Sequence, residues 1–509
     1  MRPGAPGGAA GGGDGSRDPV GALLDLARRA RCRDAEVHLK TVAVRQVAVE
    51  PPAIEGESPQ RIVSRHAERG TALRVIDAEG RDGFAWRGGR HGSSGAIDWA
   101  ILARTDSAGD GNAGADREAD AEAEAAAESI LREALESARV GGSAGAAWPI
   151  EPVTGAPVEG LVDAEALRRP DDALAGLTAA AVAAIVRHAE GALEIDRVVV
   201  SEAVTSVRIA RLRGGDVAYD RTIAAITVAV APAVPEADAA VEERSACRLA
   251  DLDPVDAARA AVTRALPRRP ALVPGEIGVA PAPAAVGRTR PAFAVPATLV
   301  LAPRAAASLW AALAPLLEAG AITSNRPSAL DAVAEGRAPG RPSSAPCDGA
   351  GRPSERRLLM QSGRPVGRVD AASGPFVRAS YRDRPAPGMA ALVIEPGRSS
   401  RQAAEPAGGF ALRVEALEVR PGPSTWSIEI RRGDWLRIEP GHPTAWSADG
   451  TESLGAADGI AWEGSPAAIV QAVVATLDDV AWFEVGLPVA TPSAVLDGLG
   501  PWRLPEPAD

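Results

Sequence analysis

The apolar positions change period along the chain, and each change marks an element. Val20, Leu23, Leu24 and Ala27 fall on one side of a helix, with Asp18 placed to cap it and Pro19 at its first position. From Val37 to Val49 the period drops to two, with a slip around Val42–Arg45 that predicts a bulge. Thr71–Asp77 and Gly83–Arg87 flank the turn-like Ala78-Glu79-Gly80-Arg81-Asp82 and predict a hairpin. A helix over Asp171–His188 follows, then strands at Ile195–Glu202, Ser206–Arg211 and Ile223–Val230. Asp253 and Pro254 open another helix, whose face carries Val255, Ala258, Val262 and Leu266.

The second half reads differently. A strand (Thr298–Leu301) and a helix (Arg304–Glu318) precede a long Pro/Gly/Ser loop over Asn325–Gly351. Leu412–Val419, Thr425–Ile430 and Trp435–Ile438 alternate as strands, and a last helix near Pro466–Leu477 precedes a short C-terminal strand. Helices and antiparallel strands in separate runs predict an α+β fold. Two lobes are expected, an N-terminal α/β domain and a C-terminal, mostly antiparallel β-rich domain.

Breaks in the pattern set the expected boundaries. Residues 1–17 are Gly-rich and predict a disordered tail. The N-terminal domain spans 18–266 in two segments, 18–104 and 116–266. Between them lies an acidic Gly/Ala linker, aperiodic over Thr105–Asp120, that runs into an alanine-rich helix ending near Arg139. A second breaker covers Gly141–Pro149. The Pro-rich stretch 267–296 is the domain boundary, and 297–505 forms the C-terminal domain.

Composition narrows the function classes. A chain of 509 residues exceeds one core and predicts two or three domains. Aromatics are only 3%, so Val, Leu, Ile and Ala build the core with tryptophan as its large filler. Trp426, Trp435, Trp446, Trp462 and Trp482 crowd the C-terminal half and read first as core, second as a partner-facing aromatic patch. The net charge of −12 argues against a nucleic acid or an anionic membrane as partner. Lys40 is the only lysine; the preference for arginine reads as coding bias. Cys32, Cys247 and Cys347 are odd in number and far apart, which suits a reducing compartment. With no apolar leader at the N-terminus, and with Leu177–Val186 too short to span a bilayer, a cytoplasmic location is expected.

Motifs of catalysis are sparse. Gly141-Gly142-Ser143-Ala144-Gly145 spells a nucleophile elbow, but that chemistry needs the serine on a strand-to-helix turn and here a helix precedes it. It reads as linker. The histidines, His38, His66, His91, His188 and His442, include no two at the spacing of a zinc helix. No phosphate loop or dinucleotide fingerprint is present, and the acidic run Asp116–Glu128 reads as a solvated helix face. No catalytic, cofactor-binding or metal-binding residue is assigned, and no cofactor is expected.

Several segments nevertheless resemble one family in order and spacing. Gly70-Thr71-Ala72-Leu73-Arg74-Val75-Ile76 followed by Asp82-Gly83-Phe84-Ala85 is similar to the "G-x-x-x-R-V … G-F-A" hairpin of the TldD/PmbA metallopeptidases. Arg213–Thr222 resembles that family's central strand–turn–strand region. Asp348-Gly349-Ala350-Gly351-Arg352-Pro353 with Arg356–Gly363 resembles its "D-D-E-G-x-P-x-x-x-x-x-L-I-x-x-G" element. Ala390–Gly397 is similar to its "T-N-L-x-I-x-P-G". The acidic pair is reduced to Asp348 alone, and alanine stands where the family has asparagine.

The resemblance implies a function that composition does not. Catalytic members carry an HExxxH helix directly after the strand equivalent to Leu299–Ala302, with a cysteine further on as third ligand. The matching segment, Ala305–Leu316, has no His, Glu or Cys, and Pro315 is expected to kink or end its helix. The chain therefore looks like the PmbA (TldE) branch, the non-catalytic subunit of a heterodimeric peptidase acting on unfolded peptides. The implied partner is an HExxxH-bearing TldD-like homologue, contacted through the Trp-rich C-terminal half. The alternatives are a stand-alone peptide-binding or scaffold protein on a degenerate peptidase fold, and a metallopeptidase with unfamiliar ligands.

Overall fold

The computed structural model describes residues 18–51, 60–92, 113–141, 152–189, 191–232, 239–266, 292–293, 298–322, 326–372, 374–397, 409–423, 425–438, 452–457, 459–500 and 502–503. The expected tail, most of the Pro-rich boundary and the serine of the GxSxG motif lie outside these residues.

Asp18 caps helix α1 (Pro19–Arg29) as its sequence predicts, accepting the Val20 N–H at 3.1 Å. Val20, Leu23 and Ala27 are its buried face. Six strands follow in the N-terminal lobe: β1 (Asp34–Glu50), β2 (Gln60–Ile76), β3 (Asp82–Gly92), β4 (Leu193–Arg211), β5 (Asp216–Pro232) and β6 (Ala240–Ala246). They form one sheet in the order β3-β2-β1-β4-β5-β6, antiparallel throughout. Helices α2 (Ala113–Val140), α3 (Asp171–Ala189) and α4 (Pro254–Ala265) join α1 on one face of this sheet. The approach is closest at Gly83, where a Cβ would stand 1.9 Å from the Ala134 carbonyl oxygen on α2.

Both faces of β1 are covered, which explains where its sequence misleads. The expected bulge near Val42–Arg45 is absent: β1 pairs with β2 and β4 without a register shift. Arg45 sits on the buried face with Ala43 and Val47, and its charge is met by Glu202 at 2.7 Å. A paired arginine at a core position breaks the hydrophobic alternation but leaves the backbone regular. β4 likewise runs through Ala203–Thr205, where two strands were expected, and β6 was not anticipated. α2 begins at Ala113, inside the expected linker. α3 extends the apolar run to a length and composition that could cross a membrane. In the fold it lies on the sheet, with Leu174, Thr178, Ala181 and Ile185 buried.

The C-terminal lobe is built around helix α5 (Pro303–Glu318), which follows the strand Thr298–Leu301 as expected. Leu309, Trp310, Leu313 and Leu317 join a core with residues of two sheets, among them Leu392, Ile394, Leu412 and Val489. One sheet orders the strands 364–365, 356–361, 332–335, 391–394, 487–491 and 481–485. The other centres on the long hairpin Gly409–Arg420 and Trp426–Ile438, beside Thr298–Leu301 in parallel. The strand Ala332–Glu335 lies inside what reads as a loop, and Trp426–Ile438 is one strand, not two.

Two further expectations fail here for identifiable reasons. Pro315 does not end α5: the Ala319 N–H bonds its carbonyl at 3.1 Å, and buried Leu317 anchors the extra turn. The last helix, α6 (Pro466–Ala472), stops early because Val473–Thr476 pairs with Ala494–Leu496 instead. β-branched Val473 and Val474 favour that outcome. Trp426, Trp435 and Trp462 are buried in the core. As core residues they do not offer the partner surface suggested by the sequence, whereas Trp482 stacks under the Arg341 guanidinium at 4.8 Å.

Candidate functional site

The second face of the N-terminal sheet meets the loops 335–390 of the other lobe, and a cavity of about 390 Å³ lies between them. Register decides which sheet residues reach it. Glu36, His38 and Lys40 alternate onto this face of β1, where Glu36 stands opposite Arg211, His38 opposite Ile209 and Lys40 opposite Val207. β5 continues the rows, with Tyr219 opposite Val207 and Arg221 opposite Thr205. His38, Lys40, Val207, Ile209, Tyr219 and Arg221 form the floor. Cys347, Asp348, Phe376 and Arg378 close the roof from the C-terminal lobe.

Buried charge fastens floor to roof. Glu36 receives Arg211 Nη2 at 2.8 Å from the neighbouring strand and Arg378 Nη2 at 2.8 Å from the opposite lobe. Burial pushes the Glu36 carboxyl up, but Arg378 and Arg211 outweigh it and hold it below the usual carboxylate range. Arg378 is 3% exposed, and its Nε and Nη1 have no acceptor among the described residues. Arg221 donates from Nη1 to the Pro342 carbonyl at 3.2 Å, while its buried Nε has no acceptor among the described residues.

The remaining titrating groups are displaced by burial. His38 is pulled well below its ordinary value by burial and by the positive charges of Arg378 and Lys40, so it is neutral. Its buried Nδ1 has no side-chain or backbone partner among the described residues. Lys40 is lowered by burial and by Arg221, and donates one bond to the Ala379 carbonyl at 3.0 Å. Tyr219 is pushed up to about 12 by burial and stays a phenol. Burial, then the charge of Asp348, raises the Cys347 thiol to about 12, which leaves it unreactive.

Asp348 has a structural task. Oδ1 accepts the N–H groups of Ala350 (2.9 Å) and Arg352 (3.0 Å), and Oδ2 that of Phe376 (3.1 Å). It ties two loops of the roof together. Burial raises its carboxyl despite these bonds.

Other residues weighed from sequence scatter. His66 is exposed on β2, His188 ends α3, and the side chains of His91 and His442 lie outside the described set. Among the described residues no three His, Cys, Asp or Glu side chains are grouped as a metal site would need. The α5 segment, which the sequence resemblance matched to a zinc helix, presents Ala305, Ala306, Leu309, Trp310 and Leu313 to the core. Its open side, Ser308, Ala311, Ala312 and Pro315, borders a groove with Val419, Val485 and Leu487. These residues do not fit a zinc ion.

A two-lobed α+β protein with a largely buried core helix and an interlobe cavity lined by charged and apolar side chains is what the geometry defines. Three solved structures share that fold over nearly the whole chain. TldE from Thermococcus kodakarensis superposes with a TM-score of 0.65 at 15% identity, over 94% of this chain and 99% of that one. A proposed modulator of DNA gyrase from Thermotoga maritima gives 0.59 at 14% identity, over 94% and 97%. Another from Bacteroides thetaiotaomicron gives 0.61 at 16%, over 95% and 98%. No protein-family model matches the sequence, and no curated protein does. The chain has the TldE fold.

Sequence reasoning did not assemble the cavity. Its residues come from β1, β4, β5 and loops more than a hundred positions away, so no local motif joins them. The one available signal was the solitary Lys40, read as a compositional curiosity.

Proposed function

We propose that this chain is the non-catalytic subunit of a cytoplasmic two-chain peptidase that acts on unfolded peptides. The observation that carries the reading is α5, in a fold shared with TldE. Where catalytic members of the resembling family hold a metal and a general base, α5 offers alanine, leucine, tryptophan and proline. Hydrolysis through that site needs ligands that these side chains cannot supply. The activity then resides in an HExxxH-bearing homologue, and this chain contributes an interface and part of a peptide-holding surface.

Size-exclusion chromatography of the two proteins, alone and mixed at micromolar concentration, tests the pairing. The reading expects one mixed species containing both chains. If no HExxxH homologue from the same genome forms such a species, the pairing fails.

A second reading has an observation of its own. The interlobe cavity carries buried donors without acceptors, which suits a chain that binds a ligand by itself. Stand-alone binding predicts ligand affinity in the isolated chain and no partner in chromatography.

A further inference from the structure

Hydrogen bonding around the interlobe cavity is lopsided. The acids beside it are engaged. Glu335 accepts the Arg337 N–H at 2.7 Å, Glu355 pairs with Arg357 at 2.5 Å, and Glu484 accepts the Ser245 hydroxyl at 2.6 Å. Asp348 takes three backbone N–H groups. Near Lys40, Asp383 accepts from Ser380 and Glu68 accepts from Tyr381 and Arg382.

The cations are not matched in the same way. Among the described residues Arg378 leaves Nε and Nη1 without acceptors and Arg221 leaves Nε, while the neutral His38 leaves Nδ1 without a partner. A buried donor with no acceptor costs about 1–3 kcal/mol. Three such donors lie on two guanidinium groups that line the cavity. Arginine cannot shed its proton to escape the cost. What is missing is therefore acceptor oxygen carrying negative charge, a need that a carboxylate meets with two oxygens at once. Val207, Ile209, Ile223 and Phe376 supply apolar wall for the rest of such a molecule.

We propose that the interlobe cavity binds a carboxylate-bearing ligand, held by Lys40, Arg221 and Arg378 with His38 and Tyr219 beside it. A volume of about 390 Å³ restricts the occupant to a small organic acid or the last few residues of a peptide ending in a free carboxylate. The shared chemistry is the carboxylate next to an apolar body. The proposal does not depend on pairing with a homologue.

The composition of the chain supplies the assay. Lys40 is the only lysine, so an amine-acylating reagent has two targets, Lys40 and the α-amino group, and the second serves as an internal control. Acylation of each is followed by mass spectrometry in the full chain. The probes are 3-phenylpropionate, N-acetyl-trialanine, and N-acetyl-trialanine amide.

A carboxylate probe at about ten times its Kd is expected to slow Lys40 acylation about tenfold and leave the α-amino rate unchanged. The amide is expected to give no protection. Protection by the peptide acid alone identifies a peptide C-terminus as the occupant, and protection by phenylpropionate identifies a free acid. Arg221→Gln should abolish protection with unchanged circular dichroism. Should that variant not fold, Tyr219→Phe takes its place and should weaken protection several-fold. The proposal is overturned if neither acid protects Lys40 at about 10 mM, or if the amide protects equally.

Discussion

Arg378 Nη2 lies 2.8 Å from Glu36 Oε1, and the two side chains, from opposite lobes, are 3% and 1% exposed. This pair, with Arg211 on the same carboxylate, fastens the roof of the cavity to its floor. Arg378→Met leaves Glu36 with one partner in a dry environment and should cost about 3–5 kcal/mol by urea denaturation. Glu36 titrates below its ordinary 4.5, so its contribution is complete above that value and is lost as pH falls through the depressed one. A wild-type midpoint matched by Arg378→Met at neutral pH would show that the lobes are held elsewhere.

His38 predicts a second pH dependence of the same sign. Below its ordinary 6.5 the unfolded chain takes up a proton that the folded chain refuses. Stability therefore falls with pH from 6.5 down to the depressed folded value. His38→Leu should flatten the stability curve there by up to about 1.4 kcal/mol per pH unit. Superimposable curves for the two proteins would mean that His38 is protonated in the fold.

Gly70 and Gly88 face each other across β2 and β3, and the buried Tyr381 ring from the C-terminal lobe lies on the pair. A Cβ at position 70 would come within 2.1 Å of that ring. Gly70→Ala should destabilise by about 1–3 kcal/mol through displacement of Tyr381 and its 2.8 Å bond to Glu68. Tyr381→Ala in the same chain should remove most of the effect. If Gly70→Ala is neutral, Tyr381 does not dock there.

Gly70 also shows how far the sequence could be read. Its hairpin was legible, as were α1, α4 and the strand leading into α5, because each carries a cap or a clear period within a few residues. The need for glycine at 70 came from a ring 311 positions away, which no local pattern records. The same holds for Arg45, whose partner Glu202 makes a core position polar, and for Val473, drawn from a helix into a sheet by Leu496. The cavity was invisible for this reason: strands and loops from across the chain meet to build it, and only their pairing in space brings Lys40 and Arg378 together.

Two buried tryptophans should respond differently to the same change. Trp310 Nε1 donates to Thr491 Oγ1 at 3.1 Å, whereas Trp435 Nε1 is buried with no acceptor among the described residues. Trp435→Phe removes an unsatisfied donor along with some packing, and should cost less than about 1.5 kcal/mol. Trp310→Phe loses a bond as well and should cost more. Alanine at either position should cost about 3–5 kcal/mol. The reverse order for the two phenylalanine variants would contradict the assigned indole environments.

Hydrolysis of an unfolded, fluorescently quenched peptide by this chain alone, by an HExxxH homologue alone and by their mixture tests the central claim most directly. The account predicts no cleavage by the isolated chain, with no stoichiometric zinc in it, and cleavage by the mixture well above that of the homologue alone. Cleavage by the isolated chain with about one tightly held zinc per molecule would contradict it.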